Sequence, residues 1–272
     1  MNALLELETS SVLRARWLVV AMGVAAAVVG FFVVLATRES SVLAFTGFSR
    51  VITGTGMAGL LFLPLLALFS TVQAFVSARS SGTLEWYLSY PVSRSACFTS
   101  LVAPRLVAIG GPVVVAVVAL AVAAAVYGQP VPAALLFRLL ALLMGQAFCF
   151  AGIGTWLSVR STSADRAVLS ALVAWFLSVA LIDFALIGAM LRWNLPPHVV
   201  FLLSAANPVQ AGRLGLLSAA DPNLGTLGPV GTWLTVALGP HGTLAYALLW
   251  PLVVGGLAFA AARYRFLRDD VL

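Results

Sequence analysis

Six stretches of this chain are so continuously apolar that they leave one solvent in which it can fold. They cover residues 17–36, 55–77, 104–127, 133–159, 166–191 and 243–262. A helix needs about 20 apolar residues to cross the roughly 30 Å of hydrocarbon in a bilayer. Inside hydrocarbon every backbone N–H and C=O must be paired within the segment, so runs this long read as helices. The short alternating strands of a transmembrane barrel are not visible. Composition agrees: 62% of the 272 residues are hydrophobic and 9% are charged, against about half and about a quarter in a soluble domain. A water-soluble enzyme and a disordered chain are excluded. Two cysteines, Cys97 and Cys149, make no disulfide framework. The expectation is a single all-α integral membrane domain, 1–272, with six transmembrane helices.

The charges say what the spans do not contain. All fifteen basic residues are Arg. A P-loop needs a Lys to reach the β- and γ-phosphates, so no standard nucleotide-hydrolysing site is expected, nor any catalytic residue or metal ligand set. The net charge of +6 reads as membrane anchoring, because the Arg mostly sit at the ends of the apolar runs. With the N-terminus inside, Arg14, Arg16, Arg79, Arg94, Arg105, Arg160, Arg166, Arg263, Arg265 and Arg268 face the cytoplasm, and Arg38, Arg50, Arg138, Arg192 and Arg213 face out. The positive-inside rule then favours N-in and C-in. The first span is not read as a cleaved signal: its apolar run is too long, and Glu6 and Glu8 spoil a basic leader.

Two connections are long. The cytoplasmic one, 78–103, contains Gly82-Thr83-Leu84-Glu85-Trp86-Tyr87-Leu88. Gly82 suits a helix N-cap, Glu85 in the first turn suits the helix dipole, and Pro91 stops the helix. Two turns are too short to stand alone. The segment either packs on the bundle or docks a cytoplasmic partner.

The external connection, 192–242, predicts short helices starting at Asn207-Pro208 and Gly228-Pro229. They lie at the outer interface or dip into it, with Trp193 and Trp233 near headgroup level. Their role is a gate, a platform for an external partner, or a cap. Asp183, inside the fifth span, is a candidate for the translocation path, since a carboxylate there costs about 2.5–3.5 kcal/mol on insertion scales. Arg192 is too far along the helix to be its partner. Gly54-x-Gly56-x-x-Gly59 matches a dinucleotide fingerprint, but no strand precedes it, and close helix packing is the better account. Cys149, Met144, Met57, Met190, His198 and His241 form no ligand cluster for a soft metal.

Ser81-Gly82-Thr83-Leu84-Glu85 followed by Leu88-Ser89-Tyr90-Pro91-Val92-Ser93-Arg94 resembles the Gly-Thr-Leu-Glu…Leu-Ser-x-Pro-Val-Ser-Arg signature of ABC-2 type transporter permeases. Leu13-Arg14-Ala15-Arg16-Trp17 resembles that family's entry from an amphipathic elbow helix, 1–16, into the first span. The resemblance implies a type V exporter-like fold, with a cytoplasmic coupling helix and an external helical hairpin before the last span. It implies a homodimer in the bacterial cytoplasmic membrane, served by a separate ATPase that binds the ATP and Mg. Gly82, Thr83, Glu85, Tyr90, Pro91 and Arg94 would couple to that ATPase. Asn207, Pro208, Arg213 and Trp233 would form the external gate or a surface for a periplasmic partner. Asn207-Pro208-Val209, Arg213 and Gly228-Pro229 look most like NosY-type permeases, which move a sulfur or copper species for nitrous-oxide reductase maturation. Two departures stand out: Ala78-Arg79-Ser80-Ser81 where acidic residues are common, and Pro104-Arg105 where a basic residue commonly follows a Gly. The same resemblance also allows an ABC-2 permease for a drug, lipid or glycan; without it, the residues fit a scaffold or channel that needs no ATPase, or an intramembrane enzyme using Asp183.

Overall fold

The computed structural model describes residues 2–38, 48–130, 132–193, 196–221, 233–234 and 236–268. Among these the chain is helical, with no strand. The elements are α1 (Asn2–Leu13), α2 (Arg16–Arg38), α3 (Ser49–Val72), α4 (Ala74–Ser80), α5 (Thr83–Ser89), α6 (Arg94–Val126), α7 (Ala133–Arg160), α8 (Ala164–Phe176), α9 (Ile182–Trp193), α10 (Pro197–Ala205), α11 (Pro208–Ala220) and α12 (Gly239–Arg268). Six helices are long and apolar enough to cross a membrane, as the apolar runs predict. The Gly228-Pro229 helix start lies outside the described residues.

The helix of the third span begins well before Pro104. α6 runs from Arg94, so most of the expected connection 78–103 is helix. Ser93 caps it by accepting a hydrogen bond from the Ala96 N–H at 3.2 Å, and Pro104 and Pro112 sit within it. Neighbouring groups compensate the lost backbone bonds in such helices. The fifth span is not one helix either. A π-helical turn, Leu177–Leu181, separates α8 from α9. Apolar periodicity is blind to one extra residue per turn, so the sequence read this span as continuous.

α3 and α7 form the centre. Each buries more than half of its apolar window, whereas α2, α8 and α12 bury less than a fifth and leave their outer faces to lipid or another chain. With lipid as solvent, apolarity alone does not pull helices together; close backbone approach does. Gly152 of α7 faces Gly255 of α12 so closely that a Cβ on Gly152 would lie 2.6 Å from the Gly255 carbonyl oxygen. The Gly54-x-Gly56-x-x-Gly59 motif lies within α3. There Gly56 admits Leu139 of α7 and Leu216 of α11, so these glycines serve packing.

α3 kinks at Gln73 into α4. The Phe75 N–H released there is taken by the Ser158 hydroxyl of α7 at 3.0 Å. Beyond the kink, the Arg79 guanidinium donates to the carbonyls of Ser161 (3.0 Å) and Val159 (2.9 Å). It thereby satisfies the otherwise unpaired C-terminal groups of α7 with a charge that suits the helix dipole. The Arg79 departure therefore has a structural role within the bundle.

Candidate functional site

At the end of the bundle where α1, α4, α5 and the last turns of α7 and α12 meet, α5 lies across the helix ends. Gly82 is its N-cap, at φ +70°, a left-handed conformation that glycine adopts without strain. The hydroxyls of Ser81 and Thr83 meet beside it at 2.7 Å. One face of α5 is packed: Leu84 is 0% exposed and Tyr87 5%, against Phe75, Phe98, Val159 and Phe266. Burying such side chains stabilises by about 1.5–3 kcal/mol each, enough to hold a helix of two turns that is marginal alone. The other face is open. Glu85, Ser89, Pro91 and Arg94 are exposed, and Trp86 and Tyr90 are about half exposed with their rings edge to face at 5.1 Å. The packing reading of this segment therefore holds for its covered face.

A polar clamp holds α5 from beneath. The Tyr87 hydroxyl donates to Glu8 Oε1 of α1 at 2.9 Å. Arg105 Nη1 of α6 donates to Glu8 Oε2 at 3.2 Å and also to the Leu101 carbonyl. The N-terminal helix is thus joined to two consecutive helices much further along the chain at one buried carboxylate. Burial first, then the bond to Glu8, pushes the Tyr87 hydroxyl up to about 12. The donor stays protonated at physiological pH. A raised value of this kind means the contact holds below the ordinary tyrosine pKa and is lost as pH climbs toward about 12. Sequence reading found Tyr87 only as part of an apolar run, Glu8 only as a charge unsuited to a leader, and Arg105 only as a cytoplasmic anchor and a departure. The spacing of isolated charges within one chain carries no information about which of them meet.

A second constellation lies deep in the bundle. α10 and α11 form a hairpin that enters between the spans. Asn207 caps α11 as its sequence predicts, accepting from the Val209 N–H at 3.0 Å, with Pro208 in the first turn. The turn is held by side chains from the long helices. Tyr246 donates to the Ala205 carbonyl, Trp250 Nε1 to the Ala206 carbonyl at 3.1 Å, and Gln146 Nε2 to the Pro208 carbonyl. Gln146 lies midway along α7, so the hairpin tip reaches about the middle of that span. Carbonyls there have no water and must find donors. Sequence reading missed Gln146, Tyr246 and Trp250. The signal was an amide in the middle of an apolar run and, at Trp250, an aromatic donor about two turns inside the sixth span; Tyr246 stands near that span's start, where aromatics are ordinary.

The hairpin is also fastened to the π-helical turn. Asn207 Nδ2 donates to the Ser178 carbonyl at 2.6 Å, and Arg213 Nη2 reaches the Val179 carbonyl at 3.5 Å. A π turn shifts the hydrogen-bond ladder by one residue, and the carbonyls of this one meet donors from α11. Asp183, in the first turn of α9, is paired with Arg213 and Gln210, both on α11. Its partner is Arg213, which sequence reading had put on the external surface. Asn207 and Pro208 are buried, so as the hairpin stands they offer no docking surface to an external protein. Trp233 is half-buried, 5.5 Å from the Phe201 ring and 6.5 Å from His198.

Comparison with known proteins fits this geometry. The family model described as "ABC-2 family transporter protein" matches residues 3–271. The chain belongs to the ABC-2 transporter family. A probable ABC transporter permease protein NosY of Stutzerimonas stutzeri is 27% identical over 252 residues, covering 89% of this chain and 88% of that protein. A probable ABC transporter permease protein NosY of Pseudomonas aeruginosa is 28% identical over 191 residues, covering 65% of this chain and 66% of that protein. This ABC-2 protein is therefore a multi-pass membrane permease of NosY-like sequence, and its family points to a transporter subunit that performs no catalysis itself.

Proposed function

We propose that the chain is the membrane half of an ABC-2 exporter, working as a homodimer in the bacterial inner membrane with N- and C-termini inside, and driven by a separate cytoplasmic ATPase. The observation that supports this most is α5: a short helix packed firmly on one side and open on the other, presenting Glu85, Trp86, Tyr90 and Arg94 at the end of the bundle. A partner that pushes on that face moves α4 and α6 through Leu84 and Tyr87, and α1 through Glu8. The similarity to NosY permeases supports a narrower reading. In it, the cargo is a sulfur or copper species delivered for nitrous-oxide reductase maturation. Asp183 and Arg213 would lie along its route, and the hairpin would serve as the external gate.

Copurification from native membranes in mild detergent, with mass spectrometry of what stays bound, tests the assignment. One ATPase per permease is expected. Glu85→Ala combined with Arg94→Ala should uncouple ATP hydrolysis from transport, with the spans still folded. A homodimer with no ATPase in an intact preparation, or unchanged transport by the double variant, would remove the proposal.

A further inference from the structure

A cavity of about 430 Å³ opens between α1, α4, α5 and α6, beside the Glu8 clamp. Its walls include Glu8, Ser11, Ser77, Thr83, Tyr87 and Arg105. Both Nη1 hydrogens of Arg105 are used, on Glu8 and Leu101, which leaves three N–H donors on Nη2 and Nε. Each Glu8 oxygen accepts one bond from a side chain and keeps a further acceptor position. The site therefore offers a cation's donors and a carboxylate's acceptors side by side, with hydroxyls around them and no net charge.

Its depth is set by α6. The 21 residue steps from Arg105 to Val126 rise about 31 Å as helix, which is one hydrocarbon thickness. Arg105 thus stands where hydrocarbon gives way to headgroups, and residues 94–104 rise beyond it. Ser77 lies on the last turns of α4, at the end of the second span.

We infer that this cavity binds the headgroup of a zwitterionic aminophospholipid. The phosphate accepts from the spare Arg105 donors and the hydroxyls of Ser11, Ser77 and Thr83, and the primary ammonium donates to Glu8. A headgroup with net negative charge leaves Glu8 facing an anion. A trimethylammonium headgroup has no hydrogen to give Glu8. The occupied site would tie α1 to α5 at the level where α5 meets the bundle.

The test uses the full-length protein, delipidated and titrated in detergent with phosphatidylethanolamine, phosphatidylcholine and phosphatidylglycerol of equal chain length, read by native mass spectrometry. One phosphatidylethanolamine per chain is expected to stay bound, at least tenfold more tightly than either competitor. Ser77→Leu fills the cavity and spares the clamp, so it should abolish retention without lowering the unfolding temperature; Ser11→Leu is the second variant if Ser77→Leu misfolds. Glu8→Gln should erase the preference over phosphatidylglycerol. Equal retention of the three lipids, or retention untouched by both cavity-filling variants, overturns the inference. So does tighter binding of soluble phosphoethanolamine than of the lipid, which would make the cavity a site for a soluble metabolite.

Discussion

Arg213→Ala is expected to be among the most damaging single changes in this protein, lowering stability by about 2–4 kcal/mol. Removing one partner of a buried ion pair costs about 3–5 kcal/mol because the other charge is left uncompensated. The lower range applies here because Asp183 and Arg213 keep 27% and 25% of their side-chain surface exposed. The loss would fall on the hairpin: Asp183 would keep only Gln210, and the π-helical turn would lose the Arg213 donor at Val179. Asp183→Asn together with Arg213→Gln removes both charges and keeps polar contact, and should recover most of the loss. Thermal unfolding in detergent measures both. If the double variant is as unstable as Arg213→Ala alone, the charges are not what holds the hairpin.

Gly212→Val is expected to force the hairpin out of its seat. A Cβ at Gly212 would lie 2.6 Å from Gln146 Nε2 and 2.8 Å from Leu60 Cδ2. Gln146 cannot swing away without giving up the Pro208 carbonyl, in a place where an unpaired carbonyl is costly. Overpacking of this kind costs about 1–3 kcal/mol, and the lost hydrogen bond adds about 1 kcal/mol. The readout is thiol labelling of a Ser218→Cys reporter on α11, which is buried in the parent and should become reactive when Gly212→Val is added. Gly111→Ala in α6 is the control. It has no neighbour within 4 Å of the added Cβ, so it should change stability by no more than about 1 kcal/mol. An unreactive reporter in the Gly212→Val background would mean that α11 does not sit against α7 as described.

The two candidate sites were legible to different degrees. The α5 helix could be read directly: Gly82 as its cap, Glu85 in its first turn and the stop before Pro91 are local signals, and each recurs in the structure. That only one face of α5 is open could not be read, because Leu84, Trp86, Tyr87 and Leu88 are all apolar or aromatic and only the underlying helices decide which are covered. The hairpin was half legible. Asn207-Pro208 announced a helix start, and Asn207 caps it. The depth of that helix was hidden, since it depends on Gln146, Tyr246 and Trp250 reaching its backbone from two other helices. Arg213 was placed outside by its position between spans, yet it pairs with Asp183 within the fifth.

By itself the sequence determined the solvent, the helical class, the six spans and the punctuation at Gly82 and Asn207. Those follow from lengths of apolar chain and from caps that act within a few residues. Only the tertiary structure decided that Glu8 joins Tyr87 to Arg105, that Arg79 closes the end of α7, and that a π-helical turn and an ion pair lock a hairpin deep in the bundle. The physical reason is range. A helix satisfies its own backbone and so is written locally. A lone charge, an amide or a glycine in hydrocarbon must be matched by another helix, and which helix supplies the match is fixed only when the spans pack.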